Sequence, residues 1–290
     1  MELDLEEPQA LYYTCEDSMF DNIFDIESQH MPSNSNHIDP VFRQQAMSLI
    51  LNLSSHKDLD PFVTYLAINY LDRFLSTGAI QDGKTWILKL VAVSCVSLAS
   101  KICKTEVYVT HIQHDGKFYF DKKAIGRMEL LILDALKWRM RSITPFSFIH
   151  FFVSFIEVQD PPLTQALTAR ATEIIFKSQW EFRILEFRPS LVAASAVLSA
   201  AHELFPSQFL CLEHAMLTCS YVNKINFEKC KTIMQDIAKN GYESVCDIVS
   251  NTPVDVLDQR QWSSCSGSTG TGFVEMRDCK RRKVGNHGSY

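Results

Sequence analysis

The sequence lacks the short motifs by which common classes of enzyme hold phosphate, a metal ion or a nucleophile. It contains no glycine-rich phosphate loop, no metal-binding His-Glu motif and no convincing nucleophile arrangement. Its nine cysteines include no Cys-x-x-Cys pair, and a reduced cysteine on an apolar helix, such as Cys95, behaves as a small hydrophobe. We therefore expect no catalytic residue, no metal site and no cofactor.

The chain also lacks a basic surface segment before residue 280 and an apolar run long enough to cross a bilayer. Its formal net charge is −6, whereas nucleic-acid binders usually carry clustered basic residues. The longest uncharged apolar run, Ser142 to Ile156, is shorter than the about 20 residues that a spanning helix needs. The acidic start, Met1–Glu7, does not resemble a secretory signal peptide. We expect an intracellular protein that binds neither nucleic acid directly nor a membrane.

What the sequence does contain is helical periodicity, with no competing strand pattern. Proline follows a capping residue at Asp39-Pro40, Asp60-Pro61 and Thr144-Pro145, a combination typical of helix starts. Arg188-Pro189 is a weaker version, because arginine is a poor cap for free amides. The pattern predicts helices over 40–53, 61–76, 84–102, 121–138, 145–157, 163–183, 189–203, 207–218 and 224–239.

These helices divide into two halves between polar ends. Residues 1–37 are predicted to be a disordered acidic head, because the first 30 residues hold nine acidic residues and no lysine or arginine. Residues 38–143 and 144–240 are each long enough for one core. Beyond them the apolar periodicity fades, so 241–290 are predicted to be a disordered tail.

Several stretches resemble the cyclin box of plant D-type cyclins. They are Ala67–Ser76 with its Leu-Asp-Arg-Phe motif, Trp86–Lys101, and Arg127–Phe148, in which Lys-Trp-Arg-Met precedes Thr-Pro-Phe. In the second half, Glu186–Ser190 is similar to another helix start of the family. The resemblance implies an all-α protein of two tandem five-helix cyclin folds. The first half shows only four predicted helices, so the missing one would lie within 104–114 or near residue 138.

The resemblance also implies a function in which the chain is a regulatory subunit and not an enzyme. In cyclins, a lysine and a glutamate that match Lys101 and Glu129 hold the activating helix of a cyclin-dependent kinase. The cyclin then stabilises the active kinase by binding it preferentially. The expected partner is a cyclin-dependent kinase catalytic subunit, with kinase inhibitors and kinase substrates as further candidates. The expected role is the G1/S transition and cell division in plants.

Two features of the first helix follow from the same resemblance. Arg43 would pair with Asp72, and we expect this ion pair to be structural. A substrate-docking patch would contain Arg43, Ala46 and Leu49. Cyclins have a tryptophan where this chain has Leu49, so a flat aromatic surface is lost and docking should be weak. After Lys101 the family commonly continues with acidic residues, whereas this chain places Lys104 there.

The head lacks the Leu-x-Cys-x-Glu peptide by which many D-type cyclins bind retinoblastoma-related proteins. Within Tyr12–Glu16 the cysteine immediately precedes the glutamate, so the two side chains would point to opposite faces of an extended peptide. We therefore do not expect a retinoblastoma-related protein to bind through this head. The departures together resemble the short plant D-type subgroup that lacks the peptide.

The tail carries two candidate signals. Lys280, Arg281, Arg282 and Lys283 form a basic run that fits a nuclear import signal, the alternative being a solvated charge run. We expect the nucleus, with the cytoplasm as a second location. Thr252-Pro253 is either a proline-directed phosphorylation site that governs turnover or an ordinary turn.

Two other functions stay open on the sequence alone. One is a transcription-factor-like tandem cyclin fold that binds DNA. It would need a basic face and often an N-terminal zinc ribbon, whereas this head is acidic and contains only Cys15. The other is an all-helical enzyme with an unrecognised site, which no motif supports.

Overall fold

The computed structural model of the chain describes residues 17–33, 35–56, 59–80, 84–105, 120–156 and 161–249. These ranges hold ten α-helices and four short 3-10 helices but no strand, which confirms the all-α prediction. The α-helices are α1 (Asp17–Ile26), α2 (Pro40–His56), α3 (Pro61–Leu75), α4 (Thr85–Ile102), α5 (Lys122–Ala135), α6 (Ile149–Val153), α7 (Pro161–Ser178), α8 (Pro189–Leu204), α9 (Phe209–Thr218) and α10 (Lys224–Val249). The 3-10 helices are Glu27–His30, Ser35–His37, Pro145–Phe148 and Phe182–Glu186.

The proline-marked helix starts are where the sequence places them, but only some have a side-chain cap. Asp39 Oδ1 accepts a hydrogen bond from Val41 N at 2.9 Å, and Asp60 Oδ1 accepts one from Phe62 N at 2.7 Å. Thr144 makes no such bond, and Pro145 begins a 3-10 turn before α6. A carboxylate oxygen is thus the acceptor at both aspartate starts.

The predicted disorder of the head is wrong from Asp17 onward. Phe24 of α1 is buried, with its ring centroid 4.2 Å from that of Tyr221 and 4.8 Å from that of Phe148. Farther along, Ser33 N donates to Ser76 Oγ at 2.9 Å, so the segment contacts the first half as well. Composition did not predict α1, because the acidic Asp25 is exposed while the apolar Ile23 and Phe24 pack inward.

The predicted tail boundary at residue 240 also differs from the structure. Helix α10 continues to Val249, beyond the predicted end at residue 239. At the other end of the first half, α5 stops at Ala135 instead of 138, because Lys137 and Trp138 have φ of 53° and 59°. Positive φ is incompatible with a right-handed helix, and periodicity alone does not reveal it.

Each half has a core built around one helix of small and aliphatic residues. Helix α4 packs against α2, α3 and α5, and α8 packs against α7, α9 and the 3-10 turn Pro145–Phe148. Small side chains let neighbouring helices approach closely, which suits both helices to a central position. Fully buried residues of α4 are Val91, Ala92, Cys95, Val96 and Ala99, and those of α8 include Ala193, Ala194, Ala196, Val197 and Ala200.

The burial of α4 explains its composition. Among the described residues it is the helix that is long and apolar enough to cross a membrane, but 67% of its apolar window is buried inside the protein. A central core helix satisfies the same composition test as a membrane span. Its C-terminal turn emerges at the surface and carries Lys101.

Side chains from each half enter the other half. Tyr65 of α3 packs in the second core, where its ring centroid lies 4.8 Å from that of Phe146. In return, Phe182 and Leu185 pack against the first core. Gln179 joins the two through its backbone oxygen, which accepts from Arg43 Nη2 at 2.8 Å, and its side chain, which donates to Tyr65 O at 3.2 Å.

Candidate functional site

Lys101 and Glu129 form an ion pair where α4 meets α5. Lys101 Nζ lies 2.7 Å from Glu129 Oε1 and 2.6 Å from Oε2. The lysine side chain is 57% exposed and the glutamate side chain 11%. Both residues come from helices packed together in the first core, so that core fixes the separation of their backbones. The resemblance implied a role in partner binding for each residue but did not predict that the two contact each other.

A third residue, Ser97, belongs to this cluster. Its Oγ donates to Glu129 Oε1 at 2.6 Å, and the serine is buried. Ser97 precedes Lys101 by one helical turn, so both face α5 from the same side of α4. Sequence reasoning missed it, although its i, i+4 spacing from Lys101 is a usable signal.

Exposed apolar side chains adjoin the ion pair in the sequence. Ile102 follows Lys101, and Leu130 and Leu131 follow Glu129; all three are exposed. Cys103 follows Ile102 in the sequence. Burial raises the pKa of its thiol to about 11, which keeps the thiol neutral at cellular pH. A surface that combines apolar residues with one charged pair is suited to binding another protein.

The turn after α5 presents Trp138 at the surface, with 65% of the residue exposed. Its backbone, like that of Lys137, is in the left-handed region that bulky residues rarely adopt. Two side chains of α3 hold the turn: Tyr70 Oη donates to Met140 O at 2.5 Å, and Arg73 Nη1 donates to Arg139 O at 3.0 Å. The strained turn is therefore fixed by the first core.

The structure brings Arg43 and Asp72 together as the sequence predicts. Arg43 Nε lies 2.6 Å from Asp72 Oδ1, and Nη2 lies 2.9 Å from Oδ2. The side chains are 4% and 6% exposed. Since Nη2 also donates to Gln179 O, the guanidinium ties α2 and α3 to the second half.

The predicted docking patch is not a continuous surface. Arg43 and Ala46 are both buried, and of the three proposed residues only Leu49 is partly exposed. Helix α2 turns the face that bears Arg43 and Ala46 towards α3 and α4, where they serve the core and the ion pair. The assignment of these two residues to a docking surface is therefore corrected.

Other predicted sites lie outside the described residues. These are the import run Lys280–Lys283, Thr252 and the Tyr12–Glu16 stretch. They stay predictions. The five described cysteines, Cys95, Cys103, Cys211, Cys219 and Cys230, are free thiols.

Comparison with known proteins decides the family. Residues 18–141 match the family described as "Cyclin, N-terminal domain", and residues 143–250 match "Cyclin, C-terminal domain". A cyclin-D6-1 of Arabidopsis thaliana is 42% identical over 275 residues, which cover 91% of this chain and 89% of the relative. The chain belongs to the plant D-type cyclins. A cyclin-D6-1 of Oryza sativa subsp. japonica is 35% identical over 294 residues, covering 98% of this D-type cyclin and 91% of the relative.

Solved structures share the fold of this D-type cyclin. A viral cyclin from herpesvirus saimiri has a TM-score of 0.56 at 19% identity, covering 72% of this chain and 89% of that chain. A chain of the CAK complex of Chaetomium thermophilum has a TM-score of 0.51 at 14% identity, with 85% and 82% covered. The prediction of two tandem cyclin folds is confirmed, and the short D6-like subgroup fits these relatives.

Family membership also sets the class of function. This D-type cyclin is a cell-cycle regulatory subunit of the class that binds and activates a cyclin-dependent kinase. The DNA-binding alternative is not favoured. The geometry of Lys101, Glu129 and Ser97 can therefore be considered as a surface for a protein partner.

Proposed function

We propose that this cyclin binds the catalytic subunit of its kinase through the surface around Lys101 and Glu129, and that it performs no phosphoryl transfer itself. The observation that carries the proposal is the ion pair across α4 and α5, with its carboxylate buried and its ammonium exposed. Both residues have hydrogen-bonding capacity that a docked helix could use.

The chemistry of the pair suits backbone recognition. Glu129 accepts hydrogen bonds, and Lys101 donates them, so together they can bind the amide and carbonyl groups of a partner helix or loop. Because the pair is already assembled, little side-chain freedom is lost when the partner docks. Ile102 and Leu130, the exposed apolar residues that follow Lys101 and Glu129 in the sequence, supply apolar area that a partner can bury.

Activation then follows from differential affinity. A cyclin that binds the active conformation of the kinase more tightly than the inactive one shifts the population towards the active form. The kinase supplies the lysine, glutamate and metal ions that transfer the phosphoryl group. The cyclin supplies a rigid surface, because α4 and α5 are packed in the first core.

The direct test compares the wild-type cyclin with a Lys101→Ala plus Glu129→Ala variant, each co-purified with a plant cyclin-dependent kinase and assayed on histone. We expect the wild type to activate the kinase and the variant to bind at least about tenfold more weakly, since 1.4 kcal/mol corresponds to tenfold. A control removes an exposed ion pair of α7 through Lys177→Ala and Glu173→Ala. Equal activation by wild type and variant would overturn the assignment.

We also propose that the cyclin acts in the nucleus at the G1/S transition. The basic run Lys280–Lys283 supports nuclear import, and family membership supports the cell-cycle role. A fluorescent fusion should enter the nucleus, and replacement of the four residues by alanine should leave it in the cytoplasm. Unchanged nuclear entry of the variant would remove the run as the import signal.

Two proposals concern the ends of the chain. No retinoblastoma-related protein is expected to bind through the head, and micromolar binding of a peptide covering residues 8–20 would contradict this. Phosphorylation of Thr252 is proposed to shorten the life of the protein by adding nearly two negative charges and a docking group. An unchanged half-life of Thr252→Ala in cells would remove that role.

A further inference from the structure

We propose that Ser97 is a positioning residue of the kinase-binding surface, whose hydroxyl fixes the carboxylate of Glu129 in one orientation. This inference rests on the proposed function. Ser97 Oγ lies 2.6 Å from Glu129 Oε1, and the serine is only 1% exposed. It cannot contact a partner directly, so its effect on binding is indirect, and Glu129 is the residue of the pair that it touches.

The other buried serines of α4 show that this contact is not a general property of serine in the helix. Ser100 Oγ donates to Val96 O of the same helix at 2.8 Å. Ser94 Oγ is buried and has no hydrogen-bond partner. Of the three, Ser97 is the one whose hydroxyl bonds to a residue of another helix. Ser94 and Ser100 therefore provide matched positions for substitution in the same structural setting.

The contact also makes the two carboxylate oxygens unequal. Oε1 accepts from both Ser97 Oγ and Lys101 Nζ, whereas the bonds described for Oε2 come from Lys101 alone. Each carboxylate oxygen has about two lone-pair positions. A backbone amide of the partner should therefore be accepted at Oε2. The serine selects the oxygen that meets the kinase.

Ser97 also permits Lys101 to move. The lysine side chain is more than half exposed, so it can turn towards a carbonyl group of the partner. Without Ser97 this movement would leave the buried carboxylate of Glu129 with no intramolecular donor among the described contacts. With Ser97 in place, the carboxylate keeps one hydrogen bond while the ammonium is used by the kinase.

The test is a double-mutant cycle on affinity for the kinase, with the melting temperature of each free cyclin as a second readout. Ser97→Ala should weaken binding about tenfold, as expected for a lost hydrogen bond to a charged group. In a Glu129→Ala background the same substitution should have no further effect. Ser100→Ala and Ser94→Ala should leave affinity close to that of the wild type.

Three outcomes would overturn the inference. Unchanged affinity of Ser97→Ala would show that the hydroxyl does not position Glu129. An equal loss with and without Glu129 would show that Ser97 acts through the fold of α4. Failure of the wild-type cyclin to bind any candidate kinase would remove the proposed function first and this role with it, so the two failures are distinguishable.

Discussion

At the scale of single residues, Arg43 makes both a buried ion pair and a hydrogen bond to the backbone of the second half. It neutralises the buried carboxylate of Asp72 and bonds the backbone of Gln179 in the second half. We predict that Arg43→Ala lowers the free energy of unfolding by about 3–5 kcal/mol, because it leaves a buried charge without its partner. Chemical denaturation measures this loss, and kinase affinity should fall as well.

The control for Arg43 is the pair of substitutions made together. Once Asp72 is also replaced by alanine, the uncompensated charge is gone. The double variant should therefore lose less free energy of unfolding than the two single variants lose in sum. A melting temperature of Arg43→Ala equal to that of the wild type would remove the structural role. Strictly additive losses would show that the two side chains do not act as a pair.

His30 makes stability depend on pH. It is buried, its Nδ1 has no hydrogen-bond partner, and burial lowers its pKa to about 4, with Arg73 and Arg139 adding to the effect. An unfolded histidine takes up its proton near pH 6.5. Between these values the unfolded state binds more protons, so stability is complete above pH 6.5 and decreases as the pH falls towards 4.

We therefore predict that His30→Gln flattens the dependence of melting temperature on pH between 6.5 and 4.5. The exposed His214 provides the control, because its replacement by glutamine should leave the slope of the wild type. Parallel curves for wild type and His30→Gln would contradict the prediction. The comparison uses slopes, so a constant stability change from the substitution does not affect it.

Residue-scale features were predictable where a motif carried them. Lys101, Glu129 and Asp72 lie in stretches that resemble a known family, and the same resemblance pairs Arg43 with Asp72. The contacts of Ser97 and Glu27 were not predicted, because their partners are 32 and 163 residues away in sequence. Contacts at such separations depend on how helices pack, which periodicity does not specify. The docking-patch prediction likewise did not anticipate that Arg43 is buried.

At the scale of elements, the start of α8 shows a cap supplied from a distant segment. Arg188 makes no side-chain cap bond there. Instead the buried carboxylate of Glu27 accepts from Ser190 N at 2.8 Å and from Ser190 Oγ at 2.8 Å. A carboxylate at a helix N-terminus is favoured by the free amides and the helix dipole. The head therefore completes a helix of the second half.

We predict that Glu27→Ala lowers the free energy of unfolding by about 2 kcal/mol, as expected for a lost charged cap. Ser190→Ala should cost less, because it removes the hydroxyl but keeps the backbone amide bond. Thermal denaturation distinguishes the two. The exposed neighbour Gln29 serves as a control through Gln29→Ala. A loss no larger for Glu27→Ala than for Gln29→Ala would contradict the cap.

Helix prediction succeeded where sequence signals were local. The Asp-Pro starts of α2 and α3 and the apolar lengths of α4 and α8 are local properties, and the structure has these helices within a few residues of the predicted bounds. The sequence did not predict helix α1, because the helix is stabilised by a tertiary contact, the packing of Phe24 on the second core. Tertiary packing routinely outweighs acidic composition.

At the scale of the whole molecule, two sequence halves do not make two independent folding units. Tyr65 completes the second core, Phe182 packs on the first, and Phe24 of the head is buried in the second. Removing any of these three side chains exposes apolar surface of the core on which it packs. The division near residue 143 separates the two family domains in the sequence, whereas stability belongs to the combined structure.

We predict that residues 17–249 unfold in one cooperative transition and that excised residues 144–249 do not fold stably alone. The fragment lacks Phe24 and Tyr65, whose loss from a core costs about 3–5 kcal/mol for a large aromatic side chain, and it lacks the cap from Glu27. A small domain has about 5–15 kcal/mol of stability in total. Circular dichroism of the fragment should show little helix, while residues 17–249 should show a single transition by both circular dichroism and tryptophan fluorescence. A fragment that melted cooperatively at the temperature of the intact chain would show that the second half folds without the head and without α3.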